Sequence, residues 1–287
     1  MTRRALVGIL LCAAVAGGCA GSISFESATP KTPERVEGRL VTPDGPGPFP
    51  ALVLLHGCHG VSPQVYAWAR WLADRGYVAF VVDSFGPRNG PADCKDDPSP
   101  GASAMPNTAR FDDAIGALRY LQSRPFVIPA RVASFGWSQG GLYAMSVING
   151  PTLERARARG VVLPPVGFAA AVAMYPGGCR DYAKELVVRP LLLLIAGSDD
   201  WTPPQYCREM AANVRARGAD VTLVEYKGAY HYFDVVGQRK EVLKDIERPF
   251  TKGIYGVTVA YDAEAAADAQ RQVEVFLARA LKGAPLR

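Results

Sequence analysis

Residues 131–145 read Arg-Val-Ala-Ser-Phe-Gly-Trp-Ser-Gln-Gly-Gly-Leu-Tyr-Ala-Met, an apolar segment that passes through a glycine-flanked serine into a helix-forming stretch. Gly136-Trp137-Ser138-Gln139-Gly140 has the G-x-S-x-G spacing of a nucleophile elbow, a sharp strand-to-helix turn that lifts a serine hydroxyl above a sheet. Glycine suits such a turn because the backbones approach too closely for a β-carbon. The same five residues would also serve as a plain glycine-rich turn opening a helix. What separates the two readings is whether the rest of the chain offers a base and an acid in matching places.

Working outward, apolar runs recur at 51–55, 77–82, 168–174 and 190–195, as expected of strands inside a parallel sheet, while 131–135 leads to the elbow and 221–226 reads as a further strand. Residues 35–41 alternate apolar and polar, like an early strand. Between them lie segments with helical spacing. Residues 63–75 place Val65, Trp68, Ala69 and Leu72 on one side, with Gly76 as a C-cap. Residues 108–124 carry Phe111, Ile115, Leu118 and Leu121 on one stripe, and 142–148, 203–217 and 262–281 are also helical. This alternation predicts an α/β fold with a mostly parallel central sheet covered by helices on both faces. The chain has 287 residues, 49% of them hydrophobic, which suffices for one large core of this kind. In such sheets the working groups sit on loops beyond the carboxyl ends of the strands.

Three histidines are present, His56, His59 and His231. A serine nucleophile needs a base, because its hydroxyl is barely ionised at neutral pH. His231 follows the strand at 221–226 and so lies at the catalytic edge. The acid that would orient it follows the strand at 190–195, in Gly197-Ser-Asp-Asp-Trp-Thr-Pro203. Asp199 is the first carboxylate after the turn and is taken over Asp200, which reads as a loop carboxylate or helix N-cap. The order Ser138, Asp199, His231 is that of α/β-hydrolases. The oxyanion donors expected beside this set are the backbone amides of Gln139 and Cys58. A competing reading makes His56, Cys58 and His59 metal ligands, but no fourth ligand is evident nearby. The expectation is therefore no metal and no cofactor.

From about residue 35 onward the chain resembles the dienelactone hydrolase family of α/β-hydrolases. The matching pieces are His56-Gly57, residues 83–88 (Asp-Ser-Phe-Gly-Pro-Arg), residues 111–114, residues 136–141, residues 197–203, residues 228–234 (Gly-Ala-Tyr-His-Tyr-Phe-Asp) and residues 261–270. The resemblance implies an α/β-hydrolase fold and carries the family's acid onto Asp199. The founding enzymes use cysteine at the elbow, whereas this chain has Ser138. That departure keeps carboxylic ester or lactone hydrolysis and removes the named substrate. Phe85, Trp137, Trp201, Tyr230 and Tyr232 flank the catalytic positions and are expected to line the substrate pocket. Arg88 and Arg180 are candidates for meeting an acidic substrate group, set against ordinary solvated loop arginines.

The N-terminus reads as a targeting segment over residues 1–18, with Arg3 and Arg4 before an apolar stretch too short to span a bilayer. Ala16-Gly17-Gly18-Cys19 resembles the lipobox of bacterial lipoproteins, making Cys19 the expected lipidation site. Arg3-Arg4 also loosely resembles a twin-arginine signal. Residues 19–34 read as a tether and 35–287 as the hydrolase domain. The expected location is the periplasm, with a lipid anchor in the outer membrane. Disulfides persist in that compartment. Cys58 and Cys94 both fall over the catalytic edge, and Cys179 and Cys207 follow neighbouring strands, so the expected pairs are Cys58–Cys94 and Cys179–Cys207. A net charge of +5, with no basic cluster interleaved with aromatics, argues against nucleic acid as a partner. The expected partner is a small ester or lactone, and the expected state a monomer. The alternatives are an extracellular polyester or cell-wall acetyl esterase, a peptidase, or a lipoprotein that kept the fold only to bind.

Overall fold

Each apolar run finds its neighbours side by side. β3 (Phe49–Leu55), β4 (Val78–Asp83), β5 (Val127–Trp137), β6 (Ala171–Met174), β7 (Leu191–Ala196) and β8 (Val221–Tyr226) pair in parallel. β1 (Ile23–Glu26) and β2 (Arg35–Val41) add antiparallel strands at one edge, giving the order β1-β2-β4-β3-β5-β6-β7-β8. The computed structural model describes residues 22–88, 90, 94, 108–182 and 185–282. The segment at 1–18 and Cys19 lie outside the described residues.

Side chains alternate across each strand, and this splits the core into two layers. Ala51, Val53 and Leu55 of β3 join Phe111, Ile115 and Leu118 of α2 (Ala109–Gln122) on one face. Met145 of α3 (Gln139–Ser146) and Met210 of α5 (Pro204–Arg215) extend that layer. Leu52 and Leu54 point the other way, onto Trp68 and Leu72 of α1 (Pro63–Ala73) and Val273 and Phe276 of α6 (Ala263–Leu277). Strands covered on both faces have no solvent side, so the sequence shows continuous apolar runs instead of alternation. The long closing helix at 262–281 is shorter than expected. α6 ends at Leu277 and a π-helical turn (Ala278–Lys282) follows.

Four elements depart from the sequence reading. Residues 23–26, expected as part of a tether, form β1, and Phe25 is buried against Phe80 with ring centroids 5.3 Å apart. The Ser/Thr/Pro composition around Phe25 hides a strand whose only buried anchor is one aromatic ring. α4 (Gly150–Ala158) has a weakly apolar sequence and buries Ala156 alone, but Asn149 caps it by accepting from the Thr152 N–H at 2.9 Å. β9 (Glu241–Glu247) and β10 (Tyr255–Val259) form a separate antiparallel hairpin. β9 carries charges on both faces and so lacks any alternation.

Both expected disulfides are present, Cys58–Cys94 and Cys179–Cys207, separated by 36 and 28 residues. The first ties the loop after β3 to the loop after β4. The second ties the loop after β6 to α5. Closing loops of this length stabilises a fold by about 2–4 kcal/mol each, through the unfolded chain. Peptide mapping without reductant should recover these two linkages and no other pairing. The double change Cys179→Ser with Cys207→Ser should lower the unfolding free energy in urea by about 2–4 kcal/mol.

Candidate active site

β5 ends at Trp137 and α3 begins at Gln139, so Ser138 alone makes the turn. Its backbone sits at φ 52° and ψ −118°, a conformation that a side chain enters only under constraint. Two glycines make the turn possible. A β-carbon on Gly136 would lie 2.0 Å from the Gly140 carbonyl oxygen, and one on Gly140 would lie 2.0 Å from the Leu55 carbonyl oxygen. The elbow is pinned by neighbouring strands, since the Ser138 N–H donates to the Met174 carbonyl at 3.0 Å. Ser138 itself is 5% exposed.

Asp199 and His231 meet at this edge. Asp199 Oδ2 lies 2.7 Å from His231 Nδ1. The Trp201 and Thr202 amides donate to Asp199 Oδ1 at 2.9 and 2.8 Å, and the Thr202 hydroxyl lies 2.8 Å from Oδ2. These donors orient the buried carboxyl group so that one oxygen is aimed at the imidazole. His231 is buried, and its Nε2 has no hydrogen-bond partner among the described residues. Trp201 and Tyr175 pack on the ring at centroid distances of 4.8 and 4.4 Å.

Asp200, the losing candidate, is a structural tie. It accepts from the Thr258 N–H at 2.7 Å and pairs with Arg248 at 3.0 Å, fastening the β9–β10 hairpin to the acid loop. The chain leaving the same hairpin touches His231 directly, because the Ala260 N–H donates to the His231 carbonyl at 3.0 Å.

The loop after β3 packs against the elbow. A β-carbon on Gly57 would sit 3.7 Å from Ser138 Cβ. His56 is fully buried, and burial together with the nearby Arg110 guanidinium pushes it well below the usual histidine range. The neutral ring donates from Nδ1 to the Gly57 carbonyl at 2.6 Å and accepts at Nε2 from the Ser84 N–H at 3.3 Å. With both nitrogens engaged it is a structural residue. The sulfurs of Cys58 and Cys94 are bonded to each other, which leaves His59 as the one conventional ligand of the Cys58, His59 and Cys94 group. Arg110 lies between these parts. It donates to the His56 carbonyl and, at 2.6 Å, to Gln139 Oε1, while Phe85 and Tyr143 cover its guanidinium. Burial brings Arg110 down to about 10. It ties the residue after Ser138 to the loop after β3.

A cavity of about 680 Å³ opens beside Ser138, with Trp137 and Tyr232 in its wall as expected. Trp201 lines a smaller space of about 110 Å³ with Arg180, Tyr206 and Phe250. Phe85 and Tyr230 line neither. Phe85 packs edge-on against His56 at 4.6 Å, behind the loop, and Tyr230 faces outward to accept from Lys240 at 2.9 Å. Adjacency in sequence placed both beside the site, but their strand ends turn them away from it. Arg88 is bound to both Asp113 oxygens at 2.7 and 2.8 Å and to Glu34, so it is not available to a substrate. Arg180 stacks on Phe250 at 4.5 Å.

Sequence reasoning missed Asp234, three residues after His231. Its carboxylate is buried and accepts from Tyr175 Oη at 2.6 Å, Gln64 Nε2 at 2.6 Å, Trp68 Nε1 at 2.8 Å and Trp137 Nε1 at 3.0 Å. Burial pushes this carboxyl above the ordinary aspartate range, while the four donors oppose the shift. The residue stood in a quoted motif, but nothing in the chain pointed to four donors arriving from α1, β5 and the loop after β6.

A mostly parallel sheet with helices on both faces, and a sharp strand-to-helix turn at a positive-φ serine after β5, is the α/β-hydrolase fold. The chain belongs to the dienelactone hydrolase family, whose model matches residues 36–281. A probable 2-oxo-3-(5-oxofuran-2-ylidene)propanoate lactonase from Bradyrhizobium sp is 23% identical over 217 residues, covering 73% of this chain and 81% of that protein. The crystal structure of a putative dienelactone hydrolase from Klebsiella pneumoniae superposes with a TM-score of 0.63 at 19% identity, over 90% of this chain and 99% of the other. Esterase 2 of Thermogutta terrifontis, phosphorylated by paraoxon, gives 0.62 at 16% identity, over 91% and 95%.

Asp234→Asn keeps the shape but turns an amide N–H₂ toward donors. Urea denaturation followed by tryptophan emission should show a loss of about 2–4 kcal/mol, consistent with losing hydrogen bonds to a charged acceptor.

Proposed function

We propose that this protein is a serine hydrolase of carboxylic ester or lactone bonds, with Ser138 as nucleophile, His231 as base and Asp199 as the orienting acid. The observation that carries the reading is the 2.7 Å Asp199–His231 contact, with Nε2 unpartnered among the described residues on the sheet edge that holds the elbow. Membership of the dienelactone hydrolase family supports it, as do the lactonase and esterase among the similar proteins.

In this reading His231 Nε2 takes the Ser138 proton as Oγ attacks the carbonyl carbon. The negative oxygen that develops is met by the amides of Gln139 and Cys58. The Gln139 N–H opens α3 and has no acceptor inside the helix. Arg110 holds the Gln139 side chain and the His56 carbonyl together, which fixes the spacing of the two donor segments. Asp199 stabilises the imidazolium, which returns its proton to the leaving alkoxide. Water, deprotonated by His231, then releases the acyl group and restores Ser138. The family's cysteine is replaced by a hydroxyl, which is less acidic, so the base is needed throughout.

We also propose export and lipid attachment at Cys19, a reading supported by the two disulfides, which suit an oxidising compartment. Palmitate labelling of cells making the chain should tag it, and Cys19→Ser should abolish the tag.

A fluorophosphonate probe should label the purified protein at Ser138, and Ser138→Ala should lose both the label and about 10⁴-fold or more of kcat. Asp199→Asn should cost about 10⁴-fold in kcat by leaving the imidazole in the wrong tautomer. Asp200→Asn should act on stability and leave kcat within about threefold, since its carboxylate faces Thr258 and Arg248 and not the imidazole. Retention of the label and of esterase activity in Ser138→Ala would refute the nucleophile assignment, and a wild-type protein that neither labels nor hydrolyses esters would return the chain to a binding role.

A further inference from the structure

The cavity beside Ser138 takes its character from three of the chain's four tryptophans, Trp68, Trp71 and Trp137. Trp68 meets Trp71 edge-on at 5.2 Å and Trp137 at 6.1 Å, so the rings form one continuous wall. Two of the three polar edges are already satisfied. The indole N–H groups of Trp68 and Trp137 both donate to Asp234 Oδ2.

Asp234 is the buried carboxyl group of this cavity, and the protein's own donors engage it. Four donors occupy its two oxygens, one of them from Gln64, another lining residue. Gln238 is likewise engaged, with the Arg239 carbonyl at 2.9 Å and Glu241 at 2.6 Å. The cationic side chain in the wall, Arg70, is solvent-exposed. An ionised substrate group inside would lose its hydration and find no buried counter-charge among the described residues, which is costly. An apolar ring would lose water and gain aromatic faces. The volume, about 680 Å³, is in the range that encloses a ligand of several rings and far exceeds what an acetyl group fills.

We propose that the preferred esters carry, on the acyl or the alcohol side, a bulky uncharged aromatic group that lies against the Trp68–Trp71–Trp137 wall. A small anionic lactone would be a poor substrate. The inference rests on Ser138 being the nucleophile, because that residue places the scissile bond at the cavity mouth.

Two matched series test it on the intact purified protein. One varies the acyl group of p-nitrophenyl esters from acetate to 3-phenylpropanoate to 3-(2-naphthyl)propanoate, with rates normalised to hydroxide-catalysed hydrolysis. The other varies the alcohol of acetate esters from ethyl to benzyl to 2-naphthylmethyl, with 4-carboxybenzyl as the charged arm. Fluorophosphonate labelling of Ser138 counts active sites in every sample. In at least one series kcat/KM should rise about tenfold or more from the smallest member to the naphthyl member, and the carboxylate should cost about tenfold against benzyl. Ala67 is an exposed lining residue on α1, and Ala67→Trp should fill the cavity and lower the naphthyl-to-small ratio about tenfold. Flat series, a preference for the small or carboxylated ester, or an unchanged ratio in Ala67→Trp with Ser138 still labelled would overturn this inference alone. Failure of wild-type Ser138 to label would overturn the nucleophile reading and this inference with it.

Discussion

The first turn of α3 lies so close to the end of β3 that only hydrogen fits between Gly140 and the Leu55 carbonyl. That contact sets the geometry at Ser138. A helix held this near the sheet cannot be entered from β5 by an ordinary extended residue, so the turn is made at one residue with positive φ. The backbone pairing of Ser138 to the strand beside it keeps the conformation from relaxing. The strain is thus supported by the two layers of apolar packing that hold β3, β5 and α3 in place.

Four aspartates near the site carry four different duties, each set by the donors that reach them. Asp199 receives two backbone amides and keeps one oxygen on the imidazole. Asp200, its neighbour, faces the other way and secures β10. Asp234 gathers the indoles, the Tyr175 hydroxyl and the Gln64 amide into one buried knot. Asp113 is locked to Arg88, which fixes the loop after β4 onto α2. A carboxylate in a parallel sheet's edge loops finds its role through the orientation of its own turn, and a step of one residue reverses that orientation.

The turn at Ser138 and the loops that carry Asp199 and His231 were legible because each combines a strand signal with a short motif just after it. A strand buried on both faces announces itself as an apolar run, and a catalytic loop must follow its carboxyl end. The hairpin β9–β10 and the strand β1 were not legible, because they are held by a few contacts supplied from elsewhere. Phe25 is a strand anchor only because Phe80 and Tyr120 are waiting for it.

From the chain alone came the parallel α/β sheet, the placement of Ser138, Asp199 and His231 after their strands, and the two cysteine pairings. These follow from local pattern and chain order, which a linear reading contains. Only the tertiary structure decided which aromatic residues face the cavity, that Phe85 and Tyr230 do not, that Arg110 ties Gln139 to the loop after β3, and that Asp234 gathers the indoles of the wall. The reason is physical. Which way a loop side chain points, and which donors converge on a buried charge, depends on elements far apart in sequence whose relative position exists only once the sheet has assembled.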